Sequence, residues 1–177
     1  MIPLKGVRVS DIAAFLKTVP QLRQLGDIEL TVLAEAMSEI DYAKGKTIIE
    51  EGVHNETFYI VRAGRVRVSR TVESNDVALC ELTSGQTFGE LSILGDQRTT
   101  AAVKAMADSK VLSLSNDDLD FVLQQNPLAA AMFWKAIAKD LRDRLVETNE
   151  IVRQYFEVNR ALVENPTFRE AYAMCTR

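Results

Sequence analysis

The chain has 177 residues, 47% of them hydrophobic and 26% charged, with a net charge of -4. That length and apolar content are enough for one self-sufficient core, so neither a disulfide framework nor a long disordered tract is called for. The acidic balance gives no general attraction to nucleic acid, and Cys80 and Cys175 are too few and too far apart for a metal cluster.

From the N-terminus, Ser10 is a candidate N-cap for a short helix reaching Val19, with Ile12, Phe15, Leu16 and Val19 on one face. Gly26-Asp27 breaks the chain and starts a second helix, whose face is Ile28, Leu30, Leu33, Ala34 and Met37. From Tyr42 to Leu114 the texture changes to short runs rich in Val, Ile, Thr and Phe, and six of the eight glycines fall here. The predicted strands are Thr47 to Glu50, Thr57 to Ala63, Arg65 to Thr71, Val77 to Leu82, Thr99 to Ala105 and Lys110 to Ser115, with a hairpin turn at Ser74-Asn75-Asp76. Many short strands with glycine punctuation indicate a sandwich or barrel rather than a parallel sheet. Arg62, Arg65, Arg67 and Arg70 come closest to a basic patch, but their mostly alternate spacing reads as the solvated face of a strand.

A Ser115, Asp118 capping box opens the next helix, with Leu119, Val122 and Leu123 as its apolar residues. Asn126-Pro127 interrupts it, and Pro127 starts a long helix that runs to about Ala161. Trp134, Leu141, Thr148, Tyr155 and Leu162 recur every seventh residue, with Ala138, Leu145, Val152 and Asn159 between them. This is a coiled-coil seam. Around Trp134 it packs on the barrel, and beyond Thr148 a helix rising about 1.5 Å per residue outruns a small barrel and calls for a second copy of the chain. Asn159 is either a register-setting polar pair of a parallel dimer or part of a solvated end. Asn165-Pro166 ends the helix, and Thr167 to Met174 forms a short terminal one.

Met1 to Lys5 lacks the apolar core of a signal peptide, and no segment has the apolar length that spans a bilayer, so the expected setting is cytoplasmic and free of membrane. His54, the single histidine, sits in a turn-like segment as a surface residue, and no nucleophile-elbow signal accompanies it. Glu50-Glu51 and Asp117-Asp118 are explained by a turn and a helix start, so the chain is not expected to be an enzyme.

The most specific stretch is Leu82-Thr83-Ser84-Gly85-Gln86-Thr87-Phe88-Gly89-Glu90-Leu91. A glycine followed by an acid at a strand-to-turn junction frees backbone N–H groups for an anion, while the carboxylate accepts from sugar hydroxyls; together they suit a phosphosugar. Phe88-Gly89-Glu90-Leu91, Val103-Lys104-Ala105, Gly45 to Gly52 and Phe58 to Val66 resemble the cyclic-nucleotide-binding family of protein kinase regulatory subunits and bacterial catabolite activators. The resemblance implies a mainly β fold with flanking helices. This is a double-stranded β-helix or jelly-roll barrel with N-terminal helices over residues 1–126, then a long C-terminal dimerisation helix and a short terminal helix over 127–177.

It also implies a ligand set. Glu90 holds the ribose 2′-hydroxyl and the amides around Gly89 and Leu91 approach the phosphate. An arginine then pairs with that phosphate, but an ungapped count puts Thr99 in its place and Arg98 one position early. Either the Gly95-Asp96-Gln97 loop bends so that Arg98 reaches the phosphate, or the pocket has lost its anion clamp; strand alternation turns neighbouring side chains to opposite faces. Thr100 matches a small residue able to contact phosphate or a guanine amino group, or is simply a β-branched strand residue. Thr148 and Asn149 fall where the activators' helix meets the adenine, the second from the other subunit, or else relax the seam.

The expected function is a homodimeric sensor with no cofactor, binding cAMP or cGMP between barrel and long helix and acting through a protein effector. A catabolite activator would carry a DNA-binding winged helix after the long helix; the residues that follow Tyr155 here leave no room for one, so no direct DNA binding is expected unless the chain is a fragment. The alternative is a ligand-independent dimerisation or docking module that keeps the barrel without the phosphate-binding arginine, a reading that Thr99 favours.

Overall fold

A computed structural model of the chain describes residues 8–95 and 98–175. Helices α1 (Val9–Leu16) and α2 (Asp27–Ala36) come first, joined through a 3-10 turn at Pro20–Leu22. Ile12, Ala13 and Leu16 are buried on α1, and Leu30, Leu33 and Ala34 on α2, one stripe per helix. Ser10 does not cap α1: the helix starts at Val9 after an extended Arg8, which puts Ser10 inside the first turn. Ile28 is exposed rather than buried, because two residues before Leu30 is the opposite side of a helix with about 3.6 residues per turn.

Eight antiparallel strands follow: β1 (Ser38–Tyr42), β2 (Thr47–Ile49), β3 (Thr57–Ala63), β4 (Arg65–Val72), β5 (Asn75–Thr83), β6 (Thr87–Phe88), β7 (Ala102–Ala105) and β8 (Ser109–Ser115). They form two sheets of order β1-β8-β3-β6 and β2-β7-β4-β5, which is the strand order of a jelly roll. Between the sheets lie Ile49, Tyr59, Val61, Val66, Leu82, Phe88, Val103 and Val111. Strand β3 reads as a continuous apolar run because both its faces are covered. Tyr59 and Val61 enter the core between the sheets, while Phe58 on the other face meets Phe133 edge-on at 5.3 Å.

The strands depart from their expected bounds in three places. The hairpin between β4 and β5 turns at Glu73 and Ser74, both at positive φ, while Asn75 and Asp76 are already paired with Val72 and Thr71. A two-residue loop needs both central residues left-handed to match the strand twist, and here non-glycine residues adopt it. Thr99 to Ala101 are outside β7, since the Thr99 backbone bonds instead to Gly52 and Val53 in the loop after β2. Strands β1 and β6 were not anticipated, and both owe their extension to pairing with β8 and β3.

Helix α3 (Glu90–Leu94) lies between β6 and β7, while α4 (Asn116–Gln125), α5 (Pro127–Glu164) and α6 (Pro166–Cys175) follow β8. The Ser115 and Asp118 capping box is formed in full. Pro127 opens α5, and the Asn126 side chain accepts the Ala129 amide at 3.0 Å, satisfying one of the orphan donors at the helix start. The first compact unit continues into α5 and ends at Ile137, with Ala129, Ala130, Phe133, Ala136 and Ile137 buried.

The second unit begins at Ala138. Its α5 segment carries Leu145, Val152 and Tyr155 exposed on one side and a Glu150–Arg153–Glu157 ion-pair ladder on another. Glu150 is held below the usual carboxylate range by its hydrogen bond from Arg153. Asn165 repeats the cap of Asn126, accepting the Phe168 amide at 3.1 Å, and the Arg169 guanidinium donates to the Leu162 carbonyl at 2.9 Å. No described helix is long and apolar enough to cross a membrane.

Candidate functional site

The site is built at the end of β6. Thr87 and Phe88 pair with Ile60 and Tyr59 of β3, and the Phe88 ring stacks on Tyr59 at 4.9 Å, nearly parallel. The chain then reverses at Gly89, whose φ of +77° belongs to the left-handed region. A β-carbon there would lie 2.5 Å from the Thr57 carbonyl oxygen and 3.0 Å from the Tyr59 ring, so only glycine lets the turn approach β3 so closely.

Helix α3 starts directly after, and the amides of Ser92 and Ile93 both turn back to the Gly89 carbonyl. Glu90 is buried at 8% exposure, together with Ser92 and Ile93, while Leu91 faces out. A support lies behind the turn that the sequence reading did not name. The Tyr59 hydroxyl donates to Asn55 at 3.3 Å, and the Asn55 amide donates to the Thr57 carbonyl at 3.1 Å. Burial pushes the Tyr59 phenol above its ordinary range. The period-2 pattern of β3 is the signal that could have found it, since it turns Tyr59 to the same side as Val61.

Before β7 the neighbours Arg98 and Thr99 stand in different settings. Arg98 is exposed, forms a bridge with His54, and donates from its guanidinium to the Gly52 carbonyl at 2.7 Å. Thr99 is buried: its hydroxyl donates to the Glu50 carbonyl at 2.5 Å and accepts the Val53 amide at 3.1 Å. Its amide donates to the Val53 carbonyl at 2.8 Å, and its carbonyl accepts the Gly52 amide at 2.9 Å. Thr99 thus fastens the segment before β7 to the loop after β2, and Thr100 beside it is exposed.

Thr148 and Asn149 belong to the second unit, where both are exposed; the Thr148 hydroxyl donates to the Arg144 carbonyl at 2.8 Å, a bond within its own helix. The strand arginines are matched to acids: Arg62 to Glu39, Arg65 and Arg67 to Glu81, and Arg70 to Glu51. An open hollow of about 480 Å³ between α1 and the first sheet is lined in part by Phe15, Glu39, Arg62 and Lys110. Its Lys110 is itself held at 2.8 Å by Asp41 and at 3.5 Å by Glu39. Among the described residues no three metal-ligating side chains stand together.

The family model for the cyclic nucleotide-binding domain matches residues 39–126, from β1 through the Asn126 cap. The cAMP-dependent protein kinase regulatory subunit of Aspergillus fumigatus is 36% identical over 104 residues, 59% of this chain and 25% of that protein. The chain spans about a quarter of the length of the curated relatives it matches first. Among solved structures, the N-terminal domain of a transcriptional regulator from Streptomyces coelicolor is 30% identical with a TM-score of 0.67, covering 73% of this chain and 94% of that one. The regulatory subunit of a cAMP-independent protein kinase A from Trypanosoma cruzi, bound to guanosine, is 27% identical with a TM-score of 0.62, covering 80% of this chain and 51% of that one.

Proposed function

Because the chain belongs to the cyclic nucleotide-binding domain family, whose members are non-catalytic regulatory modules, we propose that it is a sensor whose cassette at Gly89 and Glu90 receives the ribose of a purine ligand. The observation that supports this reading is the placing of Glu90, an acid buried directly after a turn that only glycine can make. A carboxylate in that place can accept from ribose hydroxyls. cAMP and cGMP are the first candidates, in keeping with the kinase regulatory subunits among the relatives, and the guanosine-bound neighbour adds purine nucleosides. A ligand that also engages Thr148 and Asn149 would bind two states of the long helix unequally, which is what a switch requires. The exposed heptad row of α5 suits a second copy of the chain, and output then passes to a protein effector in the cytoplasm.

Calorimetric titration of the whole chain with cAMP, cGMP, adenosine and guanosine tests the reading. Saturable binding to at least one of them is expected, weakened roughly tenfold or more in Glu90→Ala, which removes charge-assisted bonds worth about 1.5–3 kcal/mol each. The second reading, a ligand-independent docking module, is favoured by the engaged hydroxyl of Thr99. Absence of heat and of thermal stabilisation at millimolar concentration of every one of these compounds would establish it in place of the first.

A further inference from the structure

We infer that the distal part of α5 holds a second interface, through which two dimers of this chain pair into a tetramer. The inference rests on the proposed homodimer and adds a contact to it. At about 100° per residue, the rows Leu145, Val152, Asn159 and Thr148, Tyr155, Leu162 occupy one stripe of the helix. A two-helix seam needs no more than that. From Ile151 onward the apolar face is wider. Ile151 and Val158 extend it on one side and Phe156 and Val163 on the other, to an arc of about 160°. Apolar residues beside both seam rows are the pattern of a helix inside a bundle, whereas a two-stranded coil carries charges at those places. Earlier in the unit the same two flanks hold Arg144 and Asn149, so the widening is confined to the distal segment, about 20 Å of helix.

One chain leaves these flanks open: Ile151 is 59%, Phe156 68% and Val163 76% exposed. Pairing along the seam rows turns two stripes toward each other and leaves the outer flanks in water. The polar residues that border the face indicate which helix fits it. Arg153 and Arg160 border it beside Phe156 and Val163, while Glu147 and Gln154 border it beside Ile151 and Val158. The acids that pair with those arginines, Glu150, Glu157 and Glu164, lie farther round the helix, away from the face. A neighbouring copy running in the same direction lays its arginine border against the Glu147 and Gln154 border, so the face is complementary to itself. The partner that this surface fits is a second dimer of the same chain.

Sedimentation equilibrium of the whole chain from about 5 µM to about 500 µM tests the second interface. The mass of the parent is expected to rise from that of two chains to that of four. Phe156→Glu combined with Val163→Glu is expected to hold it at two chains throughout, with the thermal melt of the barrel unchanged. Val146→Glu, at a residue 62% exposed on the opposite side of the helix, is expected to assemble as the parent does. A parent that stays at two chains, or a flank variant that still reaches four, overturns the second interface and leaves the homodimer standing. A flank variant that falls to monomer also overturns it, since Phe156 and Val163 would then belong to the seam. The same loss in Val146→Glu counts against it as well, because the effect would not be one of that face. A parent that is monomeric throughout overturns both the tetramer and the dimer.

Discussion

At Gly89 the positive φ and the absent β-carbon answer to two separate constraints, the turn and the contact with β3. Gly89→Ala therefore adds left-handed strain of about 1–3 kcal/mol and a clash with the Thr57 carbonyl. The denaturant midpoint is expected to fall by the equivalent of at least about 2 kcal/mol, and an unchanged midpoint would show that the turn relaxes freely. Tyr59, behind that turn, has its phenol pushed up by burial, so the neutral form is favoured in the fold. Its contribution is fully present below the ordinary phenol value of about 10 and is lost as pH rises through the higher folded value. Tyr59→Phe should flatten the alkaline loss of stability, read from denaturant melts between about pH 8 and 11, while costing about 1 kcal/mol at neutral pH. An alkaline slope equal to the parent's would assign it to Tyr42, whose phenol burial also raises. Gly89 and Glu90 were legible in the sequence because glycine next to an acid is a local signal. The fastening by Thr99 was not, since its hydroxyl bonds to Glu50 and Val53, residues distant in sequence.

Helix starts have signals that lie within three or four residues, and two were read from them, whereas the expected Ser10 cap of α1 does not form. Ser115 with Asp118, and Pro127 after Asn126, stand where the sequence placed them. Ser115→Ala and Asn126→Ala should each cost about 1 kcal/mol in a thermal or denaturant melt, since each leaves a helix-start amide without its acceptor. A loss below a few tenths of a kcal/mol would mean that water replaces the side chain at no cost. The short strands β1 and β6 escaped the sequence because so few residues set no period of their own. Their extension comes from hydrogen bonds to β8 and β3, supplied only once the chain has rolled up. The hairpin turn was misplaced for a related reason: Ser-Asn-Asp is the richer turn composition, but the register of β4 on β5 puts the reversal at Glu73 and Ser74.

At the scale of the molecule, the second unit carries an exposed apolar heptad row. Leu145 is 61% and Tyr155 66% exposed, on the same side of α5 as Val152. The seven-residue spacing was legible, since it depends on sequence alone. A dimer is expected by sedimentation at micromolar concentration, and replacing Leu145 and Val152 together by glutamate should convert it to monomer without changing the melting of the barrel. A parent chain that sediments as a monomer would remove the homodimer from the proposed mechanism.

The bonds made by Thr99 also bear on what a substitution there would do. Placing an arginine at that position would leave the Glu50 carbonyl without its donor and the Val53 amide without its acceptor, each at a cost of about 1–3 kcal/mol. A lone Thr99→Arg exchange would meet that penalty at the outset. The threonine behaves as a rivet between two loops, and exchanging it is a structural event before it is a chemical one.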